Sequence, residues 1–368
     1  MKKILILTNN DIGLYKFRKE LIQTFLHAGN KVVVCLPYGE YVENLKEMGC
    51  EFIETPMERR GMNPVHDLKL YRQYRRIIKE EHPDLVITYT IKPNVYGGSA
   101  CRKLKIPYVS NVTGLGTAFQ SAYLKALVSG MYRFALKRSK IVFFENEENR
   151  QLFINERIID EKQSYRLNGA GVNLDEYPYT PMVQSNTTRF LFIGRVMKEK
   201  GIDELLQAVK KLKQDTDVCV DIVGPYEDDY QSVIANEMND GTIRYHGYQK
   251  DVRPFITDCS CFVLPSYHEG MANTLLECAS MGRPLITSDI PGCREAVIED
   301  RTGYLCNVKD ANSLYHAMKS FADLSYDKKE AMGIAGRQHI ETVFAKEKVV
   351  GETIKRINTV MNWKEEND

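Results

Sequence analysis

Short β-type runs alternate with amphipathic helical patterns along nearly the whole chain, and that alternation leaves few folds open. The strand-like runs are 4–8, 31–36, 52–55, 85–88, 108–111 and 141–144, then 190–193, 218–223, 243–246, 261–264 and 284–287. Between them, 17–27, 68–81, 124–137, 203–213 and 311–321 carry apolar residues at helical spacing. Strands that return to one sheet through a helix pair in parallel, so the pattern predicts an α/β protein with parallel sheets covered on both faces. The stretch 168–188 interrupts the rhythm with Gly169, Gly171, Pro178, Pro181 and a polar Gln-Ser-Asn-Thr-Thr run, which marks a linker. At 368 residues the chain exceeds one ordinary core. Two Rossmann-like domains of similar size are expected, 1–170 and 171–345, with a C-terminal helix in 346–368 crossing back to the first.

Composition narrows the setting. Hydrophobic content of 43% and charged content of 27% are those of a soluble globular chain. No apolar run reaches the roughly 20 residues of a membrane-spanning helix. Lys2-Lys3 and the apolar residues after them could open a signal peptide, but the run stops at Asn9-Asn10-Asp11, too early for an h-region. The cysteines lack CxxC spacing and read as reduced, mostly buried thiols of a cytosolic protein, not as a zinc site.

A net charge of +1 conceals an asymmetry. Residues 1–180 hold 27 Lys/Arg against 20 Asp/Glu, and the remainder 23 against 29. The segment 85–144 has nine basic residues and no acid, which points to an anionic partner: nucleic acid, a membrane surface or a phosphorylated substrate. No nucleic-acid recognition module appears, so no nucleic acid is expected. Within this segment, 123–140 interleaves apolar residues with Lys125, Arg133, Lys137 and Arg138. It can pack on a sheet as an ordinary helix, lie on an anionic membrane surface, or do both. Arg59, Arg60, Arg72, Arg75, Arg76 and Lys79 add to the basic character.

Chemistry concentrates in the second half. Glu269 follows the apolar run that ends at Pro265, and Glu277 lies eight positions on, inside a helical pattern that starts near Asn273. Glu269 thus falls on a loop at a strand's carboxyl end, where open α/β sheets bind ligands. The helix start beside it offers unpaired N–H groups to an anion. Upstream, the strand 190–193 runs into Gly194-Arg195, then Lys198, Lys200 and Gly201. A guanidinium can clamp two phosphate oxygens and an ammonium adds a point charge. The P-loop pattern GxxxxGK is absent, and no GxGxxG follows a strand, which disfavours a dinucleotide dehydrogenase. Asp215-Thr216-Asp217 spells a D-x-D, but at the amino end of strand 218–223, away from the expected ligand edge; no metal or other cofactor is expected.

The sequence resembles the retaining glycosyltransferases of family 4. The resemblance rests on Gly194-Arg195 with Lys200-Gly201, Glu269 with Glu277, Pro265-Ser266-Tyr267-His268-Glu269-Gly270, Gly282-Arg283-Pro284 and Pro291-Gly292-Cys293-Arg294-Glu295. Looser matches are Gly13, Thr113-Gly114-Leu115-Gly116 and Asn168-Gly169-Ala170-Gly171-Val172-Asn173. Within the family the sequence most resembles enzymes that extend undecaprenyl-diphosphate-linked saccharides, such as the N-acetylgalactosaminyltransferase of bacterial protein N-glycosylation, and the segment Tyr15-Lys16-Phe17-Arg18 contributes to that likeness. The resemblance implies the GT-B fold, two Rossmann-like domains facing each other across a deep cleft. It implies an acceptor-binding first domain, and transfer of a sugar, GalNAc- or GlcNAc-type or another hexose, from a UDP-sugar to a lipid-diphosphate-linked saccharide. Arg195 and Lys200 would neutralise the donor diphosphate, and Glu269 would hold the donor sugar with Gly270, Met271, Ala272 and Asn273 alongside. Backbone amides near Thr274 and Leu275 would take the distal phosphate, Glu277 the ribose, and Gly194, Val223, Gly224 and Tyr248 would surround the nucleotide. Gly13, Arg18, Thr113 and Gly114 fall on the acceptor side.

Thr113 stands where many members of the family have a histidine, so hydrogen bonding replaces acid–base chemistry there. His268 is expected to position its neighbours. The alternatives are a nucleotide-sugar epimerase of the same architecture and a catalytically silent nucleotide-sugar-binding subunit. A cytoplasmic protein, peripheral on the inner face of the cell membrane, is the expected setting.

Overall fold

The computed structural model describes residues 1–58, 63–115, 122–214 and 216–363. Arg59, Arg60, Gly116 and Asp215 lie outside the described residues. The chain divides into two compact units, Met1–Ala170 with Glu347–Asp368, and Gly171–Lys346.

The first unit holds β1 (Lys3–Leu7), β2 (Lys31–Leu36), β3 (Glu51–Glu54), β4 (Leu85–Tyr89), β5 (Tyr108–Val112), β6 (Val142–Phe144) and β7 (Ser164–Arg166). They form one sheet in the order β3-β2-β1-β4-β5-β6-β7. Every pairing is parallel, as the alternation requires. Successive residues of a strand point to opposite faces. Ile4, Ile6, Val32 and Val34 therefore join a core with the helix Asp11–His27, while Leu5, Leu7, Val33 and Cys35 join another with the helix Pro64–Glu81. Burial of each such side chain is worth about 1.5–3 kcal/mol, set against the entropy of ordering the chain. The final helix, Lys346–Met361, puts Ile357 into the first of these cores, with Val350 and Ile354 packed beside it.

The second unit holds β8 (Thr188–Ile193), β9 (Val218–Val223), β10 (Arg244–Tyr245), β11 (Cys261–Leu264), β12 (Leu285–Ser288) and β13 (Gly303–Cys306), ordered β10-β9-β8-β11-β12-β13 and again all parallel. All the predicted strands appear. The two that the pattern missed, β7 and β13, are sheet edges. β7 is three residues long with Arg166 exposed, and Tyr304 and Leu305 of β13 are only partly buried, so neither makes a continuous apolar run.

The nine cysteines carry free thiols, all buried except the half-buried Cys219. Burial pushes their pKa values up, that of Cys50 to about 11 and that of Cys259 to about 12, which leaves them protonated and unreactive. Among the described residues no group of three or more His, Cys, Asp or Glu could hold a metal ion. No helix among them is long and apolar enough to cross a membrane.

One residue of the Gly282-Arg283-Pro284 motif turns out to be architectural. Arg283 is fully buried. Its Nε donates to the Ile256 carbonyl at 2.8 Å, Nη1 to the Thr180 carbonyl at 2.9 Å and Nη2 to the Thr257 carbonyl at 3.0 Å. The guanidinium thus ties the segment after the unit boundary to the short helix Arg253–Asp258 that precedes β11. Arg283→Leu strands these carbonyls without donors, each costing about 1–3 kcal/mol. We expect a loss of about 3 kcal/mol or more, read as a lower urea midpoint at unchanged slope. An unchanged midpoint would contradict the assignment.

Candidate active site

In the second sheet β8 lies between β9 and β11, and the chain leaves β8 toward one side and returns to β11 on the other. Connections diverge at this junction, which makes it the topological switch point where α/β sheets receive ligands. The residues singled out from the sequence gather on the loops after β8, β9 and β11. Gly194-Arg195 follows β8, and Lys200 ends a short 3-10 turn, Lys198–Lys200, before the helix Ile202–Leu212. Glu269 sits on the loop between β11 and the helix Asn273–Ser280.

Backbone contacts hold these loops together. The Gly194 amide donates to the Val223 carbonyl at 3.0 Å and the Gly224 amide to the Gly247 carbonyl at 2.8 Å. The Tyr267 amide donates to the Glu199 carbonyl at 2.8 Å, and the Ala272 amide to the Gly292 carbonyl at 2.9 Å. Two glycines make the approach possible. Gly201 has φ +73°, and a Cβ there would lie 2.1 Å from the Pro265 carbonyl oxygen; Gly224 has φ +143°, and its Cβ would lie 1.8 Å from that of Gly194.

The charged groups meet at the same place. The Lys200 ammonium is ion-paired and hydrogen-bonded to Glu269 Oε1, and the Ser266 hydroxyl donates to that same oxygen at 2.8 Å. These Lys200 and Glu269 side chains are only 18% and 13% exposed, so their attraction is little screened by solvent. Arg195 stays accessible at 42% exposure and reaches Glu227 Oε1 at 3.3 Å. The Tyr267 hydroxyl donates to Glu204 at 2.7 Å, which anchors the loop just before Glu269. His268 is exposed; packing on its other side and the nearby Lys309 charge lower its pKa, so it is neutral near pH 7.

The rest of the predicted donor set surrounds this centre. Met271, Ala272 and Leu275 are buried and hold the helix start in place. The Leu275 amide donates to the Ala272 carbonyl at 3.0 Å, so an anion at this terminus meets the earlier amide of Thr274 first. Asn273, the first residue of the helix, has a buried side-chain oxygen with no hydrogen-bond partner among the described residues. Glu277 is half-buried one turn further on and helps to raise the pKa of Tyr177, after burial itself. Gly270 contacts Gly292 through its carbonyl, Val223 is buried at the end of β9, and Tyr248 is half exposed after β10. Sequence reasoning missed Glu227, Ser266 as a partner of Glu269, and the Asn273 oxygen. Glu227 follows the Gly224 turn by three residues, and that glycine was the available signal.

Two family models match the chain, "Glycosyl transferase 4-like" over residues 3–146 and "Glycosyl transferases group 1" over residues 187–323. The chain is a family 4 glycosyltransferase. It is 25% identical, over 85% of its length and 87% of the relative's, to the N,N'-diacetylbacillosaminyl-diphospho-undecaprenol alpha-1,3-N-acetylgalactosaminyltransferase of Campylobacter jejuni. It is also 25% identical, over 79% of both chains, to the UDP-Gal:alpha-D-GlcNAc-diphosphoundecaprenol alpha-1,3-galactosyltransferase of Escherichia coli. Among solved structures it is similar to a glycosyltransferase from Rickettsia africae, with TM-score 0.80 at 20% identity over 99% of both chains. It is likewise similar to Anabaena HepE in complex with UDP-glucose, with TM-score 0.81 at 14% identity over 98% of this chain and all of that one. The fold is GT-B, and the epimerase and silent-subunit alternatives are set aside.

In the first unit of this glycosyltransferase the predicted acceptor-side residues lie on the helix after β1 and on the loop after β5. Gly13 lies in the first turn of the helix Asp11–His27, its amide donating to the Asn10 cap at 2.6 Å. Arg18 pairs with Glu145 at 2.7 Å, and its guanidinium lies 5.2 Å from the centre of the Tyr89 ring. Thr113 and Gly114 follow β5, with Gly114 at φ +152°. Thr90, just after β4, was not anticipated: a β-branched residue at φ +69° with a buried, unpartnered hydroxyl. In the helix Ala122–Leu136, Lys125 pairs with Glu156 at 2.6 Å and Arg133 donates to the carbonyls of Arg157 and Glu156 at 2.9 and 2.8 Å. Lys137 and Arg138, beyond its end, are exposed. Of the D-x-D pair, Asp217 accepts from the Thr187 hydroxyl at 2.6 Å.

Gly224→Ala drives a methyl group into the Gly194 carbonyl and must shift the loop that carries Arg195. We expect a loss of about 2 kcal/mol or more in stability, together with weaker nucleotide binding, measured by denaturant unfolding and UDP titration. Wild-type behaviour in both would show that the close approach is dispensable.

Proposed function

We propose that this glycosyltransferase moves a sugar from a UDP-sugar to a lipid-diphosphate-linked saccharide with retention of anomeric configuration, in polysaccharide, capsule or glycan assembly. The observation that carries the proposal is the Lys200–Glu269 pair at the switch point of the second sheet. An ammonium touching a carboxylate suits the junction of a sugar and a phosphate, where hydroxyls need an acceptor and the leaving oxygen needs a cation. Glu269 takes the donor-sugar hydroxyls there, and Lys200 turns to the phosphate beside it. Arg195 and the start of the helix Asn273–Ser280 supply further positive potential. Glu277, further along that helix, takes the ribose hydroxyls. The named activities of the Campylobacter and Escherichia relatives, both on undecaprenol-diphosphate-linked sugars, support the acceptor class.

The chemistry follows from charge. As the anomeric carbon–oxygen bond breaks, negative charge builds on the diphosphate, and preorganised donors stabilise it; one such donor is worth roughly 3–4 kcal/mol. The acceptor hydroxyl attacks from the departing phosphate's face and gives its proton to that phosphate, so the sugar keeps its configuration and no separate base is needed. The proposal assigns no metal, because Lys200, Arg195 and the helix terminus meet the phosphate charge. The first unit receives the acceptor, and the enzyme works on the cytoplasmic face of the membrane, held there by exposed cations.

Two outcomes test these assignments. UDP-sugars should raise the melting temperature more than GDP- or dTDP-sugars, and Glu277→Ala should weaken UDP binding by about tenfold, the equivalent of one lost charge-assisted hydrogen bond. No stabilisation by any nucleotide-sugar would sink the donor assignment. For the membrane, Lys137→Glu with Arg138→Glu should release the enzyme from anionic vesicles. Unchanged co-sedimentation would dismiss these two cations as the anchor.

A further inference from the structure

Two neighbouring hollows in the first unit take no part in the site described above. One, of about 580 Å³, is apolar and is lined by Tyr71, Tyr96, Leu127, Gly130, Met131 and Phe134. The other, of about 730 Å³, presents Lys69, Arg72, Arg76 and Lys92 together with the carboxylates Glu58 and Asp67. Both fall in the size range of small-molecule sites, about 300–1,000 Å³. A short chain of hydrogen bonds stands between them. The Tyr96 hydroxyl bonds to Asp67, and Asp67 pairs with Lys92 at 3.0 Å.

The apolar groove has features that packing alone leaves unexplained. Leu127 and Phe134 are 43% and 58% exposed along it. Its aromatic ends are capped by cations: the Arg75 guanidinium lies 6.0 Å from the Tyr71 ring centre and that of Arg102 4.1 Å from that of Phe134. Arg102 also donates to the Phe134 carbonyl at 2.8 Å. Gly130 lines the groove in mid-helix, where glycine is unfavourable, and a Cβ added there would meet nothing within 4 Å. The side chain is missing where it would fill the groove. Among the described residues no carboxylate lines this groove; of the two that line the neighbouring hollow, Asp67 is engaged by Lys92 and Tyr96, and Glu58 bonds to His66 at 2.7 Å. An apolar channel with cations beside its aromatic rings, next to a hollow where four Lys/Arg outnumber two carboxylates, is complementary to a hydrocarbon chain that carries an anionic head.

We propose that the groove holds the isoprenoid end of the lipid-linked acceptor, with the phosphate head turned toward Lys69, Arg72 and Arg76. This deepens the acceptor reading above and rests on it. The probes are farnesyl phosphate and butyl phosphate, titrated calorimetrically into the full-length protein without any membrane. Farnesyl phosphate should bind about tenfold tighter than butyl phosphate. Gly130→Leu, which fills the groove, should bring the two within about twofold of each other. It should leave the butyl phosphate affinity and the thermal stabilisation by UDP unchanged. Leu127→Gln, at an exposed position, should act in the same direction. Equal affinity for the two phosphates, or undiminished farnesyl phosphate binding in both variants, overturns the proposal. So does a Gly130→Leu protein that leaves phosphatidylglycerol vesicles yet still binds farnesyl phosphate, because the groove then serves the bilayer and not the acceptor. UDP binding is measured independently, so a failed donor assignment and a failed groove assignment give different results.

Discussion

The close backbone approach of the loops after β8, β9 and β11 is the constraint on which the catalytic half of this molecule depends. Gly201 abuts the Pro265 carbonyl and Gly224 that of Gly194, at distances no side chain can occupy. Parallel strands make such crowding unavoidable, because every strand releases its chain at the same sheet edge. Crowding brings the end of the Lys198–Lys200 turn within reach of the loop after β11. The Lys200–Glu269 contact is its consequence.

Once the loops are fixed, electrostatics follow from burial. Lys200 and Glu269 are mostly shielded and satisfy one another, with Ser266 filling a further acceptor site. Removing either partner would leave a poorly hydrated charge, an expensive state in a low-dielectric setting. Arg195 is more exposed, and its contact with Glu227 is of the weak, screened kind that a phosphate can displace. The site thus combines one shielded charge pair with one accessible cation.

Much of this was legible in the residues. Apolar runs bounded by glycine, proline and polar clusters gave the interior strands of both sheets, because strands buried on two faces leave an unmistakable signature. Of the four edge strands β3 and β10 were read, while β7 and β13 escaped because β7 is three residues long with Arg166 exposed and β13 keeps Tyr304 and Leu305 only partly buried. The set Arg195, Lys200, Glu269 and Glu277 could be picked out because its members fall on strand-to-helix connections and a helix start at the sheet edge where open α/β sheets receive ligands. Arg283 looked like one member of a motif of unspecified purpose, and only its buried hydrogen bonds revealed a structural strut. The contacts of Arg18 with Glu145 and the Tyr89 ring were likewise invisible in the sequence.

By itself, then, the sequence determined the alternating α/β architecture, the parallel pairing and the chemical identity of the groups at the sheet's ligand edge. These depend on local periodicity and residue type, which a linear string records. Tertiary structure alone decided which charges touch. Lys200 and Glu269 lie 69 residues apart, and their contact depends on strand order and on two carbonyls tolerating glycine neighbours. It also decided that the side chain absent at Gly130 opens onto a groove, a property of space between helices that no spacing of residues encodes.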